Sequence, residues 1–181
     1  VPGSSWSYED PSTWQGENTP ACEWCNLEWP GSPIEISANS EVIRTGNLYA
    51  QAGVTNIYGY FKVTGEFNSN NDNTIYVRSG GVLEVGSLNN GAPIVVEEGG
   101  KLIVENNFTH SNKSIIVNGE IIVSGEFSST GNINIGNTGT FTVDGIFHHK
   151  GGSPLLVNGS LKIEDNFVLS VDTYVGSNGT I

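Results

Sequence analysis

Asp144 and Glu164 stand twenty positions apart, and each lies three residues before an aromatic one, Phe147 and Phe167. In a chain that coils once every twenty residues, this spacing stacks the two carboxylates on neighbouring turns, about 5 Å apart. Acids that close share a proton, hold a cation such as Ca²⁺, or flank a glycosidic bond as nucleophile and general acid. Polysaccharide cleavage also needs a walled cleft, and an acidic substrate needs basic neighbours. Only Lys150 and Lys162 are near in sequence, and no long insertion is available to build walls. The pair is therefore expected to be solvated, with a weak Ca²⁺ site as the next alternative. No catalytic residue and no cofactor is expected.

Cys22-Glu23-Trp24-Cys25 has the spacing of a redox pair. Thiol chemistry of that kind requires a helix opening after a strand to lower the thiol pKa, and nothing around residues 22–25 supplies it. Zinc would require two further ligands, and the three histidines, His110, His148 and His149, are remote. A local disulfide that stiffens a secreted segment is the expected state. His110 and His149 each follow a large aromatic by two positions, which reads as the same corner two coils apart. At about 10 Å they are too distant to share one metal ion, and solvated corner residues are expected.

The elements that would position these groups repeat along the chain. Gly99, Gly119, Gly139, Gly159 and Gly179 recur every twenty residues, each between two short apolar-x-apolar runs. The first run is Ile75/Val77, Ile94/Val96, Ile115/Val117, Ile133/Ile135, Leu155/Val157 and Thr173/Val175. The second is Phe61/Val63, Leu83/Val85, Leu102/Val104, Ile121/Val123, Phe141/Val143 and Leu161/Ile163. A third column places one large apolar residue at a corner: Leu48, Phe67, Leu88, Phe108, Phe127, Phe147 and Phe167. Residues two apart in a strand share a face, so both members of each pair point inward. Gly and Asn between the runs suit corners with positive φ. Together these predict a single-stranded parallel β-helix, a β-solenoid of about seven three-sided coils over residues 33–181. At about 4.8 Å per coil the rod would be roughly 35 Å long.

Residues 1–32 fall outside the repeat and carry Trp6, Trp14, Trp24 and Trp29 with both cysteines. They are expected to cap the first coil, or else to stack on sugar rings or dock on another subunit. The outward residues of the first strand column are Tyr76, Val95, Ile116, Asn134, Leu156 and Tyr174, five of six apolar or aromatic. Such a ladder predicts a covering partner, either the Trp-rich segment or a neighbouring copy. The run from Thr173 to Ile181 begins a further coil with no proline or charge to blunt its edge, which fits either a chain cut from a longer protein or completion by the N-terminal region of another copy, head to tail. Asn107, Asn112, Asn158 and Asn178 each open an Asn-x-Ser/Thr sequon and are candidate glycosylation sites.

The run Trp6-Ser7-Tyr8-Glu9-Asp10-Pro11-Ser12-Thr13-Trp14-Gln15-Gly16, with Pro33-Ile34-Glu35-Ile36 after it, resembles the opening of repetitive β-domains in secreted bacterial surface proteins. It is also similar to the eight-glycine domain of certain animal cell-surface and hyaluronan-degrading proteins. The resemblance implies an extracellular β-rich module of the kind found in adhesins and matrix proteins, and it carries over no catalytic residue.

A formal charge of −12, with seven Lys and Arg among 181 residues, disfavours nucleic acid and anionic membranes as partners. No apolar run reaches membrane-spanning length, and the start at Val1 reads as a processed, secreted form. The expectation is a non-enzymatic extracellular structural or adhesive protein. It would associate with copies of itself or with other surface proteins, into a fibre or surface layer. A carbohydrate-binding or carbohydrate-cleaving module is the alternative.

Overall fold

The computed structural model describes residues 33–151 and 153–181, and shows a parallel β-solenoid of about seven coils. The segment 1–32, with the four tryptophans and both cysteines, lies outside the described residues.

In chain order the first strands are β1 (Ile34–Ile36), β2 (Glu41–Arg44), β3 (Leu48–Ile57), β4 (Tyr60–Val77) and β5 (Val82–Asn90). Three shorter strands per coil follow: β6 (Ile94–Val96), β7 (Lys101–Val104) and β8 (Phe108–His110), then β9 (Ser114–Val117), β10 (Glu120–Val123) and β11 (Phe127–Ser129). The last coils hold β12 (Asn132–Ile135), β13 (Thr140–Val143) and β14 (Phe147–His149), β15 (Leu155–Val157), β16 (Ser160–Ile163) and β17 (Phe167–Leu169), and then β18 (Thr173–Val175). No helix occurs among the described residues.

Each strand pairs in parallel with its counterpart one coil away, so the pairs assemble into three sheets. On the first sheet Ile75 meets Ile94, Ile94 meets Ile115, Ile115 meets Ile133, and Ile133 meets Leu155. On the second, Phe61, Leu83, Leu102, Ile121, Phe141 and Leu161 are successive neighbours. Both inward columns are buried from Ile75 and Phe61 to Val157 and Leu161, as the apolar alternation requires.

The third column differs from the sequence expectation. It is a strand rather than one corner residue, with a second inward position two residues after each large apolar one: Ala50, Ser69, Asn90, His110, Ser129, His149 and Leu169. Because most of these are polar or small, apolar alternation could not reveal the strand. Four leading rings pack against one another edge to face or tilted, with Phe108–Phe127, Phe127–Phe147 and Phe147–Phe167 centroids 5.1, 4.9 and 5.3 Å apart. These distances match the rise of one coil, so the four coils from Phe108 to Phe167 each add one ring to an aromatic column, which Leu88 precedes on the coil before.

The glycines also act differently from what their spacing suggests. Positive φ occurs at Gly80 and Gly99, but the residues that enter the second sheet are Gly81, Gly100, Gly119, Gly139, Gly159 and Gly179. A Cβ on Gly139 would lie 2.0 Å from the Val117 carbonyl oxygen, and one on Gly119 would lie 2.2 Å from that of Glu97. Close approach of successive coils excludes a side chain here. Gly99 belongs to the preceding position, so the twenty-residue column slips by one at that coil.

In the N-terminal coils strands run on across the corners: β3 joins a third-sheet to a first-sheet segment in ten residues, and β4 joins second-, third- and first-sheet segments in eighteen. The pairing shifts between Ala50 and Ala52 and between Val63 and Glu66, where bulges absorb the extra residues.

Candidate functional site

The outward ladder of the first sheet forms in the expected register. Tyr76 pairs with Val95, Val95 with Ile116, Ile116 with Asn134, Asn134 with Leu156, and Leu156 with Tyr174. These side chains lie at intermediate exposure except Tyr174, which is 58 % exposed. At the N-terminal end the ladder meets Arg78, whose guanidinium carbon sits 4.1 Å from the Tyr76 ring centre. Arg78 also donates from Nε and Nη2 to Asn56 Oδ1 and pairs through Nη1 with Glu97. The middle of the ladder, from Val95 to Leu156, is therefore an uncharged strip bounded at its N-terminal end by the engaged cation Arg78.

The second sheet places charge on its outer face. Lys62, on β4, reaches Glu84 at 2.6 Å and Glu105 at 2.9 Å, and Tyr60 donates its hydroxyl to Glu84. Hydrogen bonds to the two carboxylates push Lys62 above its ordinary range, while the Lys62 ammonium holds Glu84 below the usual carboxylate value. Burial, helped by the bond to Glu84, raises Tyr60. Lys101 pairs with Glu120 one coil further on. Ile103, Ile122 and Thr142 then continue the ladder to Lys162.

Asp144 and Glu164 occupy equivalent exposed corners on successive coils, for the Asp144 N–H donates to Val123 and the Glu164 N–H to Val143. Glu164 is engaged by Lys162, which that contact pushes upward in pKa. Among the described residues no three His, Cys, Asp or Glu side chains cluster as metal ligands. Within the sequons Asn107 and Asn112 are exposed, Asn158 is half-buried and Asn178 is exposed. Asn107 Oδ1 already accepts the Glu126 N–H, whereas Asn112 projects from a corner with φ 64°.

The expectation of solvated histidines is overturned. His110 and His149 are 1 % and 0 % exposed, because the residue two positions after the aromatic points into the core of the third strand. Burial lowers both pKa values, against the opposing effect of hydrogen bonds to each ring. Asn90 Nδ2 donates to the Ala92 carbonyl (2.5 Å) and to His110 Nδ1 (2.9 Å), while Asn90 Oδ1 accepts the Ala92 N–H (3.2 Å). His110 Nε2 therefore carries the proton and donates it to the Lys113 carbonyl at 2.9 Å. One coil apart from each of the two rings, Ser129 bridges their strands. The N-terminal coils continue the polar seam with Asn73, which donates to Thr55 Oγ1 and Ser69 Oγ.

At the C-terminal edge, the inward residue Phe167 is 37 % exposed and Val175 51 %, and Ile181 is 55 % exposed. No described strand pairs beyond β17 and β18 to cover them.

The arrangement defines the class as a three-sided parallel β-solenoid with a filled interior. No family model, curated protein or solved structure matches the chain. The likeness of residues 6–16 and 33–36 to secreted β-domains thus rests on those residues alone.

Proposed function

We propose that this chain is an extracellular structural or adhesive solenoid that associates laterally with copies of itself through its first sheet. The observation that carries the reading is the in-register outward ladder Val95, Ile116, Asn134 and Leu156, which bears no charge. Two such strips pack face to face at about 10 Å, as the layers of a β-sandwich do, and their identical repeat lets the side chains of one interdigitate with the other. A second copy is the occupant of choice because it offers the same periodicity and the same absence of charge. The extracellular setting is supported by the resemblance of the N-terminal residues to secreted β-domains.

The net charge of −12 opposes the encounter of two copies, so association is strongest where salt screens it. Sedimentation velocity over a range of protein and NaCl concentrations tests the proposal. The wild type should shift to larger species as salt rises, and Ile116→Lys with Leu156→Lys should remain monomeric under the same conditions. A wild type that sediments as a monomer throughout refutes lateral association, and glycan binding by that monomer would favour the carbohydrate-recognition alternative.

A further inference from the structure

The third sheet makes part of the solenoid interior polar, and its two imidazoles are buried there with no carboxylate beside them. The inward residues of the neighbouring strands β5, β11 and β17 are Leu88, Asn90, Phe127, Ser129, Phe167 and Leu169, none of them charged. The first and second sheets face the rings with apolar side chains. Of the titratable groups nearby, His148 points outward from β14, and Lys113, Lys150 and Asp172 lie on the surface corners.

His110 is locked as a neutral ring. Turning the Asn90 amide over would break both of its bonds to Ala92, so the Asn90 side chain presents Nδ1 of His110 with an N–H, and the Asn90 backbone carbonyl is the acceptor that partly opposes it. A proton on Nδ1 would face that N–H directly. His149 has the converse surroundings, since Nδ1 lies 3.3 Å from the Ser129 carbonyl and Nε2 lies 3.1 Å from that of Ser153. Both bonds form only when the ring is doubly protonated, and that cation would sit in the core without a counter-charge.

We propose that the Asn90–His110 pair and His149 form an acid-sensitive joint in the third sheet, closed while both rings are neutral, so that mild acid loosens β8, β11 and β14 before the rest of the solenoid. An opened histidine binds its proton near pH 6.5. Burial weakens proton binding in the closed state, so the open state takes up more protons as the pH falls below 6.5. The closed state is fully favoured above that value and loses ground below it. Each ring contributes up to about a tenfold rise in the opening constant per pH unit, until the pH reaches its folded-state value.

The test is nitrogen-15 histidine NMR on the intact chain, with amide exchange corrected for the intrinsic pH dependence. His110 should show the Nε2–H tautomer at pH 7.5, and both buried rings should remain neutral at pH 6.5, where a free imidazole is half protonated. Protection in β8, β11 and β14 should fall about tenfold or more between pH 6.5 and 5.5, while Ile75 and Val77 keep theirs. Replacing both residues, His110→Gln with His149→Gln, should flatten that dependence. Rings in the wild type that titrate at 6.5 or above would overturn the proposal, as would an equal loss of protection in all coils.

Discussion

Replacing Gly139 by alanine tests whether the close approach of successive coils determines the glycine column. The new Cβ would stand 2.0 Å from the Val117 carbonyl oxygen and 2.8 Å from its carbon, whereas ordinary contact begins at 3.4 Å. Both obstacles are backbone, so relief requires the coils to separate by about 1.4 Å, the difference between those distances. That movement carries the Thr140-to-Gly119 bond (2.9 Å) and the Gly136-to-Val117 bond (2.8 Å) beyond hydrogen-bonding range. Two lost bonds at about 1 kcal/mol each, with about 1–3 kcal/mol for overpacking, give a destabilisation of about 3–5 kcal/mol. Gly80→Ala is the control, because its φ is +79° and nothing lies within 4 Å of the added carbon. Its cost is the left-handed penalty alone, about 1–2 kcal/mol. Urea unfolding followed by far-ultraviolet circular dichroism reads both. A Gly139→Ala protein no less stable than Gly80→Ala would refute the reasoning.

Phe127 is fully buried between Phe108 and Phe147, so Phe127→Ala should cost about 3–5 kcal/mol, and Phe167→Ala, with its ring 37 % exposed, should cost clearly less in the same assay. Lys62→Met should move the Glu84 carboxyl up towards its ordinary value of 4.5, measured by carbon-13 NMR; an unmoved Glu84 would show that Lys62 does not set it. Because Glu84 is depressed in the folded chain, its contribution is present above pH 4.5 and fades below it, so the stability gap between wild type and Lys62→Met should narrow in acid. Asp144→Asn with Glu164→Gln should leave the thermal midpoint within about 2 °C of the wild type, since exposed acids contribute little, and a larger drop would reveal a bound ion or a structural role.

How much of this was legible depended on how much of the interior is apolar. Two of the three sheets follow from pairs such as Ile115/Val117 and Ile121/Val123, whose alternation leaves one inward face and fixes the register between coils. The third sheet was visible only as its leading Phe column. Its second inward position holds Asn90, His110, Ser129 and His149, residue types whose usual place is the surface, and the hydrogen bonds that let them be buried join separate coils. The outward ladder from Tyr76 to Tyr174 could be read from spacing because strand alternation assigns it without ambiguity. The spacing of the glycines was visible, but its reason was not, for the clash at Gly139 involves a carbonyl more than twenty positions earlier.

The most direct test of the central claim is negative-stain electron microscopy of the purified chain over a range of protein concentrations, in buffer with enough salt to screen its charge. Lateral association predicts ribbons or sheets of regular width built from rods set side by side, and their loss in the variant Ile116→Lys with Leu156→Lys. Isolated short rods at every concentration, in wild type and variant alike, would contradict it.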